Sequence, residues 1–152
     1  MQLNPDQFTG SRKKHHRPRS DADRVFAQLS KDYPKHTLAW VHDLKWSGPE
    51  KISLNDIDWE HEQMWKASHD ESHVHHFVEM IEHGEEVKPI IAIARPGKPT
   101  DMIPDGHHRA LAFKEKNKAP VGWVGKAKSV VGPWDELHDY QFKDTDKDKK
   151  LQ

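Results

Sequence analysis

The chain contains no cysteine, and that single absence removes disulfides, thiolate metal sites and cysteine nucleophiles together. Histidine, carboxylate and hydroxyl groups remain for any chemistry. No apolar run approaches the roughly 20 residues that a membrane-spanning helix needs. The N-terminus also lacks the hydrophobic segment of a signal peptide. The expected compartment is therefore the cytoplasm, with no membrane partner. Apolar residues are scarce overall, at 34% hydrophobic against 32% charged and a mean hydropathy of −1.02. A chain this polar is expected to leave part of itself unpacked. No internal repeat is present, and the net charge of −1 excludes no class of partner. Its distribution is more informative, because a basic N-terminal stretch precedes an acidic middle.

A length of 152 residues suits one domain, since a single core of this size buries most of its apolar surface. Residues 1–19 carry Arg12, Lys13, Lys14, His15, His16, Arg17 and Arg19 with almost nothing apolar. They read as a disordered basic arm, a candidate contact for nucleic acid or simply a solvated tail. Residues 20–142 read as the domain, with N-terminal helices and a C-terminal docked segment. Residues 143–152, charged in alternating sign, read as a second disordered tail.

Within the domain, Ser20 with Asp21 and Asp23 signals a helix start, and Val25, Phe26 and Leu29 supply its apolar stripe. A short helix over residues 35–43 follows. Trp46 to Glu50 reads as a turn between two extended pieces that form an opening hairpin. The stretch from Asn55 to Ser72 holds Asp56, Asp58, Glu60, Glu62, Asp70 and Glu71, carboxylates that suit Mg²⁺ or a base as well as a solvated surface. Val74, Phe77, Val78 and Ile81 are spaced for a helix over residues 72–83, capped by Gly84. His73 and His76 lie one turn apart on it, with His75 beside them, a spacing open to zinc or nickel or to solvent alone. Ile90 to Ala94 is an apolar run of strand length, suited to a buried central strand. Pro133 opens a short segment whose Trp134 and Leu137 would dock on the domain.

The centre of the chemistry is Asp105-Gly106-His107-His108-Arg109, where a short strand ends and an amphipathic pattern begins. Backbone N–H groups in the first turn of a helix lack intrahelical acceptors, and with the helix dipole they favour an anion. Gly106 would let backbone approach a ligand closely. His107, His108 and Arg109 add donors, the arginine suited to forked contacts with phosphate oxygens. Asp105 would orient one of these donors or hold a metal-bound water. Asp-Gly is also an ordinary turn pair, and first-turn histidines are often only solvated.

The succession from Pro89 to Gly125 of strand, Pro-Gly turn, strand, Asp105-Gly106-His107-His108-Arg109 helix start and closing strand resembles the ParB/sulfiredoxin superfamily. That resemblance implies an α+β fold with a small mixed sheet and flanking helices. It also implies nucleotide phosphates on Gly106, His107, His108 and Arg109, with Asp105, His107 and His108 as the catalytic candidates and Asp105 as a metal ligand. The motif looks closest to the branch containing ADP-dependent free-serine kinases. Sulfiredoxins carry their catalytic cysteine where this chain has His107, so sulfinic-acid repair is excluded. ParB proteins carry an acidic residue and paired arginines after the glycine, a pattern replaced here by His107, His108 and a single Arg109.

Taken with Ser47-Gly48-Pro49 and the Gly132-to-His138 piece, the chain also resembles ParB-like domains of phage and prophage proteins, some of them associated with MuF-like head proteins. The implied cofactors are Mg²⁺ and a nucleoside di- or triphosphate. The implied activity is nucleotide binding with hydrolysis or phosphoryl transfer. A metal-dependent nuclease and a non-enzymatic phage head-assembly module, with head proteins as partners, are the alternatives.

Overall fold

The structure, a computed structural model, describes residues 20–139; the arm expected at residues 1–19 and the tail at 143–152 lie outside them. Four strands, β1 (Lys45–Lys51), β2 (Ile90–Ala94), β3 (Met102–Asp105) and β4 (Val121–Lys126), form one sheet in the order β1-β4-β2-β3. β2 runs parallel to β4, and both outer pairings are antiparallel. The α-helices among the described residues are α1 (Asp21–Leu29), α2 (Glu62–Ser68), α3 (Glu71–Glu82) and α4 (His107–Glu115). The α+β class with a small mixed sheet is therefore as expected.

β2 explains why the sheet needs cover on both sides. Successive side chains of a strand face opposite ways, and Ile90, Ile91, Ala92 and Ile93 are all buried. Ile91 and Ile93, with Trp123 of β4 and Trp46 of β1, pack under an N-terminal layer made by Val25 and Leu29 of α1 and by Leu38, Trp40 and Val41. Trp134 and Leu137 of the 3-10 segment Pro133–Asp139 close this layer, Trp134 meeting Trp40 edge-on at 6.1 Å. On the other face Ile90, Ala92 and Ile103 meet Met64 of α2 and Ala110 of α4. α3 lies against α4 through Val78, Ile81 and Ala112. This arrangement carries the end of β3 and the start of α4 to the seam with α3.

Two local expectations are corrected. The stretch around Gly48 does not turn a hairpin: β1 is one strand, laddered to β4 on both sides of a bulge. Ser47 pairs with Val124 and Glu50 with Gly122. Gly48 sits at φ +122°, and a β-carbon there would stand 2.6 Å from the Gly122 carbonyl oxygen. The tight approach to β4 thus requires glycine. Residues 35–43 form two 3-10 turns, Lys35–Thr37 and Ala39–Asp43, rather than one α-helix. The acidic middle holds α2, which buries Met64 and Ala67 while Trp65 is 59% exposed. Among the described residues no helix is long and apolar enough to cross a membrane.

Candidate functional site

β3 ends at Asp105, and Gly106 reverses the chain into α4 with φ +111° and ψ 24°. This left-handed conformation is costly for residues bearing a β-carbon. A β-carbon on Gly106 would also stand 2.6 Å from Ile90 Cγ2. The absent side chain makes room for the core. Gly106 is the N-cap of α4 but supplies no side-chain cap, so the opening N–H groups depend on acceptors from outside the helix.

Asp105 and Arg109 form an ion pair across the first turn at 3.2 Å, with side chains 12% and 11% exposed. Gln28 Nε2 donates to the same Asp105 Oδ2 at 2.9 Å and to the Pro89 carbonyl at 2.8 Å. Arg109 Nη2 donates to that carbonyl at 3.3 Å, and its guanidinium lies 5.9 Å from the Phe77 ring centroid. Lys88, 42% exposed, stands 3.9 Å from Asp105. The motif's outer residues thus lock β2, β3, α1, α3 and α4 together. Asp105 is held by these donors and stands apart from the metal-ligand cluster described below.

His107 is buried, with its ring centroid 5.5 Å from that of His61, the N-cap residue of α2. Burial, then the nearby charges of His61, His108 and Arg109, pull its imidazole from the ordinary 6.5 to about 3. His107 is therefore a neutral ring at physiological pH. Its neighbour His108 turns the other way, toward α3.

There Asp70, the residue preceding α3, forms no side-chain cap for its own helix. Its Oδ2 accepts from His73 Nδ1 at 2.6 Å and lies 3.5 Å from His108 Nε2. The two imidazole centroids are 5.3 Å apart. Burial works to raise the Asp70 carboxyl, but the His73 hydrogen bond and the adjacent imidazoles together bring it below the usual carboxylate range. Burial lowers His108, against the opposing pull of Asp70. One ligand atom from each of Asp70, His73 and His108 lies within 4.8 Å of the others, the group among the described residues whose spacing admits a metal ion.

The structure therefore divides the sequence candidates. Gly106, His107, His108 and Arg109 are adjacent at the helix start, but Arg109 and Asp105 are turned into a structural clamp and His107 is buried. His73 joins His108, not His76, whose ring lies against Phe77. His75 faces Glu79 at 3.6 Å. Asp56, Asp58, Glu60 and Glu62 stand outside the Asp70 group. Sequence reasoning missed Gln28 and the role of Asp70; the spacing of Asp70 three residues before His73 was the available signal. No protein-family model, curated protein or solved structure matches the chain.

Proposed function

We propose that this domain binds a nucleoside di- or triphosphate with its phosphates against the N-terminus of α4. The observation that carries the reading is the junction itself, a strand end followed by a left-handed Gly106 and a helix start with no side-chain cap. Such a start presents N–H groups and the positive end of the helix dipole to an anion. Lys88 and Arg109 offset the Asp105 carboxylate beside it. The resemblance to ParB/sulfiredoxin domains favours the same seat.

In this reading Arg109 and Asp105 hold the turn in shape, and Lys88 supplies the mobile cation. His107 forms a neutral wall. His108, whose neutral form burial favours, turns its ring toward Asp70 beside the first turn of α4. A divalent ion arriving with the nucleotide would neutralise phosphate charge. Asp105, already engaged by Gln28 and Arg109, fits poorly as its main ligand.

Thermal-shift titrations with ATP, ADP, CTP and GTP, each with and without Mg²⁺, test the reading. At least one nucleotide should raise the melting temperature. Lys88→Ala should weaken that ligand by about tenfold, the worth of one charge-assisted hydrogen bond, with at most a small drop in the unliganded melting temperature from the loss of its half-exposed contact with Asp105. No shift with any nucleotide would leave the junction a structural turn and favour an assembly module.

A further inference from the structure

We propose that Asp70, His73 and His108 form a site for a divalent transition-metal ion of the zinc class, joining the start of α3 to the first turn of α4. The inference adds an ion to the seat described above, but it stands on the three side chains alone. Zinc binds imidazole nitrogen and carboxylate oxygen at about 2.0–2.2 Å, which puts neighbouring ligand atoms of a tetrahedral site roughly 3.3 Å apart. The Asp70–His108 separation of 3.5 Å already matches that spacing. The Asp70–His73 pair, at 2.6 Å, opens to it by a small rotation of His73, whose side chain is 55% exposed.

One further observation points to a ligand. Among the described residues His108 Nε2 is a buried nitrogen with no hydrogen-bond partner, with Asp70 Oδ2 3.5 Å away. An unsatisfied buried polar atom is costly, and a metal would satisfy its lone pair. Asp70 accepts from Ser72 Oγ at 3.4 Å and from the His73 ring, and the same Oδ2 faces His108, so one carboxylate joins the first turns of α3 and α4.

The donor set selects the ion. Mg²⁺ prefers oxygen ligands in near-octahedral geometry, whereas two imidazoles and one carboxylate suit Zn²⁺, Co²⁺ or Ni²⁺. Binding through His73 Nδ1 requires the proton now shared with Asp70 to move to Nε2, so the neutral ring ligates as its Nε2–H tautomer. Three protein ligands leave a further coordination position, as in catalytic rather than structural zinc sites. The added positive charge would lie at the first turn of α4, close to the proposed phosphate seat.

The test is calorimetric titration of the full chain, stripped with a chelator, with Zn²⁺ alone and then Co²⁺ alone. The expected result is one ion per chain, bound at micromolar concentration or tighter. His73→Ala, a change at an exposed side chain, should weaken binding at least tenfold, and so should His108→Ala if it folds. The double variant His75→Ala/His76→Ala should bind as the wild type does. Absence of a one-to-one site, undiminished affinity in His73→Ala, or a loss in the His75/His76 variant would each overturn the proposal. Because the probe is the metal alone, a failed nucleotide titration leaves this result standing, and a failed metal titration leaves the nucleotide reading standing.

Discussion

Gly106 and Ile90 share one space: a β-carbon on the glycine would fall 2.6 Å from Ile90 Cγ2 and 2.8 Å from Ile90 Cβ. The turn that presents the start of α4 is thereby fixed against the central strand. Gly106→Ala should destabilise the fold by about 2–5 kcal/mol, combining left-handed strain with overpacking. Gly84 and Gly97 also have positive φ, but a β-carbon on either would meet nothing within 4 Å, so alanine there should cost only about 1–2 kcal/mol of strain. Urea denaturation of the three variants checks the contrast. Equal losses at all three would show that Ile90 imposes no constraint.

Arg109 and Asp105 should behave as a coupled structural pair. Removing the guanidinium leaves a nearly buried carboxylate with Gln28 and Lys88 as its remaining side-chain partners among the described residues, so Arg109→Ala should cost about 2–4 kcal/mol, near the range for breaking buried pairs. A double-mutant cycle with Asp105→Asn should give a coupling of at least about 1 kcal/mol. Additive losses would place Arg109 outside the clamp.

Acid should unfold the domain through its histidines. His107 is lowered to about 3 in the fold, so the unfolded chain binds more protons than the folded chain between its ordinary 6.5 and that value. The stabilisation is fully present above pH 6.5 and is lost as pH falls through that window. The slope due to this group approaches about 1.4 kcal/mol per pH unit. His108, also lowered by burial, acts in the same sense. Urea midpoints of chelator-treated protein should fall from pH 6.5 toward pH 4, and less steeply in His107→Gln. A flat profile, or one unchanged by the substitution, would contradict the buried neutral ring.

Local signals make part of this molecule legible from sequence. The Ser20–Asp23 capping box is complete in the structure, and the apolar run at Ile90 is the central strand. Both depend on neighbouring residues. β1 is not legible in this way, because its partner is β4, far along the chain, and a bulged edge strand with a Gly-Pro pair looks locally like a turn. α2 is hidden because only Met64 and Ala67 of its residues are buried. The histidine cluster is obscured for a related reason: helical spacing pairs His73 with His76, whereas the packing of α3 on α4 pairs it with His108. The glycine and the basic motif are visible in the sequence, yet the inward turn of Arg109 depends on Pro89, Phe77 and Asp105 together.

The central claim, a phosphate seat at the start of α4, is tested most directly by amide NMR of the full chain titrated with the nucleotide that gives the largest thermal shift. The account predicts saturable shifts concentrated at the amides of Gly106, His107, His108 and Arg109, with Lys88 next. Shifts centred on another surface, or none at saturating nucleotide, would contradict it.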